Sequence, residues 1–322
     1  MAPPATLRLA LLDDYQSVAL AMADWGRLPR GVEVVAFADH LADPEAVAAR
    51  LADFDAVVAM RERTPFPRAL LERLPRLRLL VTTGMRNAAI DLAAAAERGV
   101  LVCGTGGLPY PTAELAWGLI LSLVRRIPRE DRATRDGRWQ ETLGLGLNGK
   151  TLGVLGLGTL GSRVARVGRA FEMEVLAWSR HLTAERAAEV GATRVERDEL
   201  LARADVVTIH LVLGDRTRGL IGARELGLMK PTAYLVNTAR GPIVDEAALV
   251  AALREGKIAG AGLDVFDEEP LPPDHPLRRL PNTVITPHLG YVTEETYRVF
   301  YGQALEDVEA YLRGAPIRVL RP

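Results

Sequence analysis

The chain has 322 residues but only one cysteine, Cys103, and no apolar run long enough to cross a bilayer. A lone cysteine excludes an internal disulfide and any cysteine-rich metal site, and it fits a reducing compartment. The longest apolar segment, residues 115–124, falls short of the ~20 residues a membrane helix needs and runs directly into Arg125 and Arg126. An excess of one charge is also missing. Lysine plus arginine (40) against aspartate plus glutamate (41) leave a net charge of -1, which removes the electrostatic case for nucleic acid or an anionic membrane as partner and leaves a small molecule. The opening MAPPATLRLALLDDYQ lacks the basic stretch of a signal peptide and soon meets Asp13 and Asp14, so a cytoplasmic setting is expected.

Short aliphatic runs are what the chain has in quantity. Residues 7–12, 32–37, 56–60, 77–82 and 100–103 alternate with Ala- and Leu-rich stretches such as 46–51 and 92–97. Repeated βα units of this kind imply a parallel sheet with helices on both faces. The rhythm returns at residues 151–155, 174–178, 206–211, 233–238, 258–265 and 283–286. The expected fold class is therefore α/β with two doubly wound parallel-sheet domains. One domain comprises residues 1–104 and 293–322, the other residues 105–292 inserted within it. Segment 115–124 is apolar on both faces, with Pro111, Thr112 and Glu114 marking its helical start, and is expected between two packed bodies, either domains or subunits. A C-terminal helix over 294–312 is expected to return to the first domain.

Gly156, Leu157, Gly158, Thr159, Leu160 and Gly161 read GLGTLG between a strand-like and a helix-like run. A strand, a glycine turn and a helix N-terminus together build a backbone cradle for a dinucleotide pyrophosphate. The similar-looking GLGLNGKT at residues 144–151 fits a nucleoside-triphosphate pattern. It lacks the strand before and the helix after that a P-loop needs, because Lys150 and Thr151 open a strand instead. At the end of the next strand, an acidic residue would bind the adenosine ribose hydroxyls and repel a 2′-phosphate. The chain has Ser179 there, then Arg180 and His181. Arg180 offers a fork of donors suited to a phosphate monoester, so NADP(H) is favoured, with NAD(H) the other option.

Arg240, Glu269 and His288 each fall at or just beyond the carboxyl end of an expected strand, where open α/β sheets place their chemistry. Together they offer what hydride transfer to a ketone needs: a cation for a carboxylate and the polarised carbonyl, a proton donor, and a carboxylate to hold that donor protonated.

The text GKTLGVLGLGTLG, then LMKPTAYLVNTARGPIVDEAAL, GLDVFDEEPL and NTVITPHLG resembles the D-isomer-specific 2-hydroxyacid dehydrogenases, and within them the glyoxylate/hydroxypyruvate reductase-like, NADPH-preferring branch. The resemblance implies a Rossmann cofactor domain inserted in a flavodoxin-like substrate domain, and a homodimer. It implies that Arg240 binds the substrate carboxylate and carbonyl oxygen, that His288 is the acid/base, and that Glu269 hydrogen-bonds His288. Cofactor contacts are implied at His210, Thr238 and Asp264, although His210 and the residues after it depart from the family's HLPL text. Backbone amides of TTGMRNAAID are implied to hold the carboxylate of a small 2-oxo acid, which places Gly84, Met85, Arg86 and Asn87 near the pocket. Arg86 stands where many relatives have glycine, and a cation there suits a second acidic group on the substrate; Arg61 is a weaker candidate for the same pocket. Two other readings stay open on the residues alone: a dinucleotide-sensing regulatory protein of the same fold, and a dehydrogenase of a non-hydroxyacid such as phosphite.

Overall fold

A computed structural model describes residues 7–322; residues 1–6, the first of the expected N-terminal segment, lie outside the described residues. The chain divides into two units, one formed by residues up to 108 together with 293–322, the other by residues 109–292.

In the first unit, β1 (Leu7–Leu11), β2 (Val32–Ala36), β3 (Ala56–Ala59), β4 (Leu79–Thr82) and β5 (Leu101–Gly104) form a sheet in the order β2-β1-β3-β4-β5. Every pairing between these strands is parallel. In the second unit, β6 (Thr151–Leu155), β7 (Glu174–Trp178), β8 (Thr193–Arg194), β9 (Val206–Ile209), β10 (Tyr234–Asn237), β11 (Gly260–Leu263) and β12 (Thr283–Ile285) form another parallel sheet, ordered β12-β11-β10-β9-β6-β7-β8. Both orders reverse direction partway, between β1 and β3 and between β6 and β9, which defines a doubly wound sheet and its crevice.

Each aliphatic run named above forms a strand. The run at 258–265 is trimmed to β11, and Asp264 just beyond it bonds the loop after β12. The two-residue β8 was not expected, being too short to carry a periodic signal. β3, β4, β9 and β10 are buried at every position, as strands covered on both faces must be.

The apolar helix Pro111–Val124 lies within the second unit, on β10 and β11 and against the helix Thr159–Ala170. Trp117 Nε1 donates to the Val164 carbonyl at 3.2 Å in that contact. Its apolar faces thus have partners inside one unit, as the cover of a sheet. The helix Glu294–Leu312 packs in the first unit against β4 and the short helix Ala19–Met22.

After that helix the tail turns back along β5. Cys103 and Val319 form an antiparallel bridge, Gly104 N–H donates to the Arg318 carbonyl at 3.0 Å, and Leu320 N–H donates to the Val102 carbonyl at 2.8 Å. The tail so covers an edge strand that would otherwise present open backbone groups. Arg318 Nε donates to Asp307 Oδ1 at 3.0 Å, and Arg318 also pairs with Glu306 at 2.8 Å. Asp307 is buried, and its Oδ2 has no hydrogen-bond partner among the described residues. Burial pushes its carboxyl up to about 7, against the pull of Arg318.

An unfolded aspartate titrates near ~3.9, so the folded chain holds this proton more tightly. The associated stability is full below that value and is lost as pH rises toward 7. Asp307→Asn should flatten this decline in thermal midpoint across the acidic range. Melting curves of both proteins check it, and parallel slopes would refute it.

Candidate active site

Because β10, β11 and β12 are neighbours in one parallel sheet, the residues that follow them emerge side by side, with strands spaced about 4.8 Å apart. Arg240 follows β10, Asp264 and Glu269 follow β11, and His288 follows β12. Asn237 closes β10: its Nδ2 donates to the Arg240 carbonyl at 2.9 Å and its Oδ1 accepts from Ala239 N–H at 3.0 Å. Arg240 Nη1 donates to the Ala239 carbonyl at 2.7 Å. The next residue must be glycine. A Cβ on Gly241 would lie 2.1 Å from the Phe266 carbonyl carbon and 2.6 Å from Asp267 N, so the segment leading to Glu269 packs directly on the backbone after Arg240.

His288 Nδ1 donates to Glu269 Oε2 at 2.5 Å, and Glu269 Oε1 accepts from Phe266 N–H at 2.9 Å. With its Nδ1 committed to a carboxylate, the imidazole keeps Nε2 as the nitrogen turned to other partners. Tyr291 sets its ring edge-on to the imidazole, centroids 5.4 Å apart at 72°. His288 has a backbone φ of 54°, in the left-handed region that is costly for a residue with a side chain. Asp264 holds it there. Its Oδ1 accepts from Thr286 Oγ1 (2.6 Å) and Leu289 N–H (2.7 Å), its Oδ2 from Gly290 N–H (2.8 Å), and its carbonyl from His288 N–H (2.8 Å). Burial raises the Asp264 carboxyl pKa, while these donors and His288 oppose the shift. Thr112 Oγ1 adds a bond to the Gly290 carbonyl at 2.8 Å.

The glycine motif sits at the switch point of the same sheet, between β6 and the helix Thr159–Ala170. Gly156 has φ 98°, and a Cβ there would fall 2.5 Å from the His210 carbonyl; a Cβ on Gly161 would fall 1.9 Å from the Gly156 carbonyl. Gly158 differs, because a Cβ there would meet nothing within 4 Å. The amides of Gly158, Thr159 and Leu160 donate to no acceptor among the described residues. Two buried polar atoms near the cradle are also unsatisfied, His210 Nδ1 and Thr238 Oγ1. Burial lowers the His210 pKa to about 4, so the ring is neutral at neutral pH; its Nε2 pairs with Thr208 Oγ1 at 2.9 Å. An open backbone cradle with orphaned polar atoms beside it fits a dinucleotide. Ser179 Oγ accepts from Leu157 N–H at 2.9 Å, which ties the end of β7 to the glycine turn. Arg180, next to it, is exposed.

In the first unit, the loop after β4 carries the expected substrate residues. Asn87 Nδ2 donates to the Arg61 carbonyl (2.7 Å) and Thr82 Oγ1 (2.8 Å), and its Oδ1 accepts from Ala89 N–H (2.9 Å), so this side chain is spent on the loop itself. Gly84 N–H donates to Thr105 Oγ1 at 2.9 Å. The amides of Met85 and Arg86 donate to no acceptor among the described residues, and both side chains are exposed. Arg61 has φ 52°; its N–H donates to Thr83 Oγ1 at 2.8 Å and its Nη1 to the Thr83 carbonyl at 3.0 Å.

The hydrogen-bonding roles of Thr82, Thr83, Thr105, Thr112 and Thr286, and the packing of Tyr291 on His288, were not legible in the sequence. A hydroxyl bound to backbone leaves no pattern in a sequence. The only signal for Asp264 as the anchor of the His288 loop was its place at the end of β11. Among the described residues no group of three or more His, Cys, Asp or Glu could hold a metal, and no helix is long and apolar enough to cross a membrane.

Reducing a carbonyl needs a hydride carrier and a proton carrier on one sheet edge, and the second unit has a place for each; the chain is a dinucleotide-dependent oxidoreductase. Residues 117–290 match the family model for the NAD binding domain of D-isomer specific 2-hydroxyacid dehydrogenases. A glyoxylate reductase of Aeropyrum pernix is 46% identical over 255 residues, 76% of this chain and 76% of that protein. A D-3-phosphoglycerate dehydrogenase of Archaeoglobus fulgidus is 40% identical over 268 residues, 82% of this chain but 51% of that longer protein. The crystal structure of a phosphoglycerate oxidoreductase from Vibrio cholerae superposes with a TM-score of 0.92 at 37% identity, covering 96% of this chain and 100% of that one. The chain belongs to the D-isomer specific 2-hydroxyacid dehydrogenase family, with a Rossmann-type domain fused to a substrate-binding domain. Its activity is hydride transfer on 2-oxo or D-2-hydroxy acids.

Proposed function

We propose that the chain is an NADPH-preferring reductase of small 2-oxo acids, of the glyoxylate or hydroxypyruvate reductase kind. The observation that carries the reading is the 2.5 Å His288–Glu269 pair, which follows β12 and β11 beside the β10 segment bearing Arg240. When bound, a reduced nicotinamide supplies the hydride for the carbonyl carbon. His288 gives the carbonyl oxygen its proton from Nε2, and Glu269, bonded to Nδ1, fixes the orientation of the ring for that step. Arg240 pairs with the substrate carboxylate and draws charge from the carbonyl. The amides of Met85 and Arg86 serve as further carboxylate donors, with Gly84 and Asn87 shaping the loop and Arg61 beside it. Arg86, exposed on this loop, gives a cation to a second acidic group on the substrate.

The NADPH preference rests on Ser179, whose hydroxyl is engaged with the glycine turn and carries no charge to repel a 2′-phosphate, and on exposed Arg180 beside it. Gly156, Gly158, Thr159, Leu160 and Gly161 hold the pyrophosphate, and His210, Thr238 and Asp264 line the remaining cofactor site. A cytoplasmic setting fits the single cysteine, Cys103, whose thiol is pushed up to about 12 by burial. The second copy of a homodimer is proposed to cover the second unit's exposed apolar residues. Ile127 (50% exposed), Trp139 (77%) and Leu143 (92%) fall within one stretch of chain, and large apolar side chains left in water are candidates for cover by a partner.

His288→Ala and Arg240→Ala should each lower kcat by about 10²- to 10⁴-fold with little change in cofactor affinity; steady-state kinetics and cofactor titration read this, and collapsed cofactor binding would contradict the assignment. A panel of 2-oxo acids with NADPH and NADH tests both specificity residues. Arg180→Ala should cut the preference for NADPH by about tenfold or more, the worth of one charged hydrogen bond. Arg86→Ala should lower kcat/KM for substrates with a second acidic group relative to neutral ones; an unchanged ratio sinks that role. Light scattering should give about twice the 35.0 kDa chain mass, and a monomer at micromolar concentration would count against the dimer.

A further inference from the structure

The loop after β4 is seated by a hydroxyl that the reaction above does not use. Thr105, directly after β5, is fully buried. Its Oγ1 accepts Gly84 N–H at 2.9 Å and donates to the Gly106 carbonyl at 3.0 Å, while its own N–H donates to the Thr82 carbonyl at 3.1 Å. Gln303, from the C-terminal helix, accepts Gly106 N–H at 2.6 Å and so fixes the next residue. The loop and the end of β5 meet backbone to backbone: a Cβ on Gly104 would lie 2.7 Å from the Gly84 carbonyl oxygen and 3.3 Å from Met85 Cα.

A hydroxyl has one proton to give. Here it goes to Gly106, and the oxygen faces the Gly84 amide. That amide therefore has a protein acceptor, whereas the next two, of Met85 and Arg86, have none among the described residues. Successive open amides in a turn make an anion-binding concavity, and the substrate of this family is an anion. Without the hydroxyl, the Gly84 N–H would be left buried and unpaired, and the turn would have to move to satisfy it.

We propose that Thr105 is a positioning residue for the substrate carboxylate: by claiming the Gly84 N–H it holds the turn at 83–87 in the shape that offers the Met85 and Arg86 amides together. This rests on the 2-oxo acid reading above. Thr105 belongs to the first unit, whereas the cofactor cradle and the His288–Glu269 pair belong to the second, so its loss acts on substrate binding and spares the proton transfer.

Thr105→Val keeps the shape and removes the hydroxyl; Thr105→Ser keeps the hydroxyl. With a 2-oxo acid that the unmutated enzyme reduces, Thr105→Val should raise KM about tenfold, the effect of one unpaired buried donor, with kcat and NADPH affinity near unchanged. Thr105→Ser should restore KM. An unchanged KM in the valine variant, or the same rise in both variants, overturns the proposal. Hydrogen exchange of the peptide spanning residues 82–87, read without substrate, tests the same role independently of turnover. Faster exchange in the valine variant alone supports the role, and equal protection in all three proteins defeats it. Should the unmutated enzyme reduce no 2-oxo acid, the functional reading fails by itself, and the exchange measurement still decides what Thr105 does. If the valine variant does not fold, Thr105→Ala takes its place in both measurements.

Discussion

The buried carboxylate of Asp264 is the constraint on which the placement of His288 depends. His288 occupies a left-handed backbone conformation, which costs on the order of 1–3 kcal/mol for a residue with a side chain. Left to itself, the loop after β12 would relax and carry the imidazole away from Glu269. Asp264 prevents this by accepting from Thr286 and from two consecutive amides, Leu289 and Gly290, while its carbonyl takes the His288 N–H. Three charge-assisted bonds in a dry setting outweigh one strained residue. The same bonds offset the cost of burying the carboxylate, which by itself raises the pKa of the group.

Binding and chemistry are allotted to different strand ends of one sheet. The cradle opens where the strand order reverses, at β6, and the hydrogen-bonded His288–Glu269 pair stands beyond β11 and β12. β9 and β10 lie between, and their ends carry His210 and Thr238, with buried polar atoms that lack a protein partner. Native proteins seldom leave such atoms unpaired without reason. A dinucleotide laid along this edge would pass all these strand ends in turn.

Much of this could be read from the chain, for identifiable reasons. Parallel strands buried on both faces appear as continuous aliphatic runs, so the strands and the doubly wound class were visible; only the two-residue β8 was too short to register. The three glycines announced themselves because close approach at Gly156 and Gly161 admits no side chain. Arg240, Glu269 and His288 stood out by lying after strands. Legibility failed where function depends on what a side chain bonds to. Nothing in the text GMRNAA indicates that the Asn87 amide is consumed internally, or that Thr105, far along the chain, holds the Gly84 amide. The helix Pro111–Val124 was hard to place for a related reason: apolar residues on both faces reveal burial but not by what, and its cover is the sheet and a neighbouring helix.

The glycine after Arg240 has an effect beyond saving space. With no side chain between them, the backbone at Gly241 and the backbone at Phe266 and Asp267 are in direct contact, and Phe266 N–H is itself bonded to Glu269. The two segments are therefore tied to each other. A displacement of the guanidinium's anchor would have to carry with it the carboxylate behind the imidazole, so neither can drift on its own.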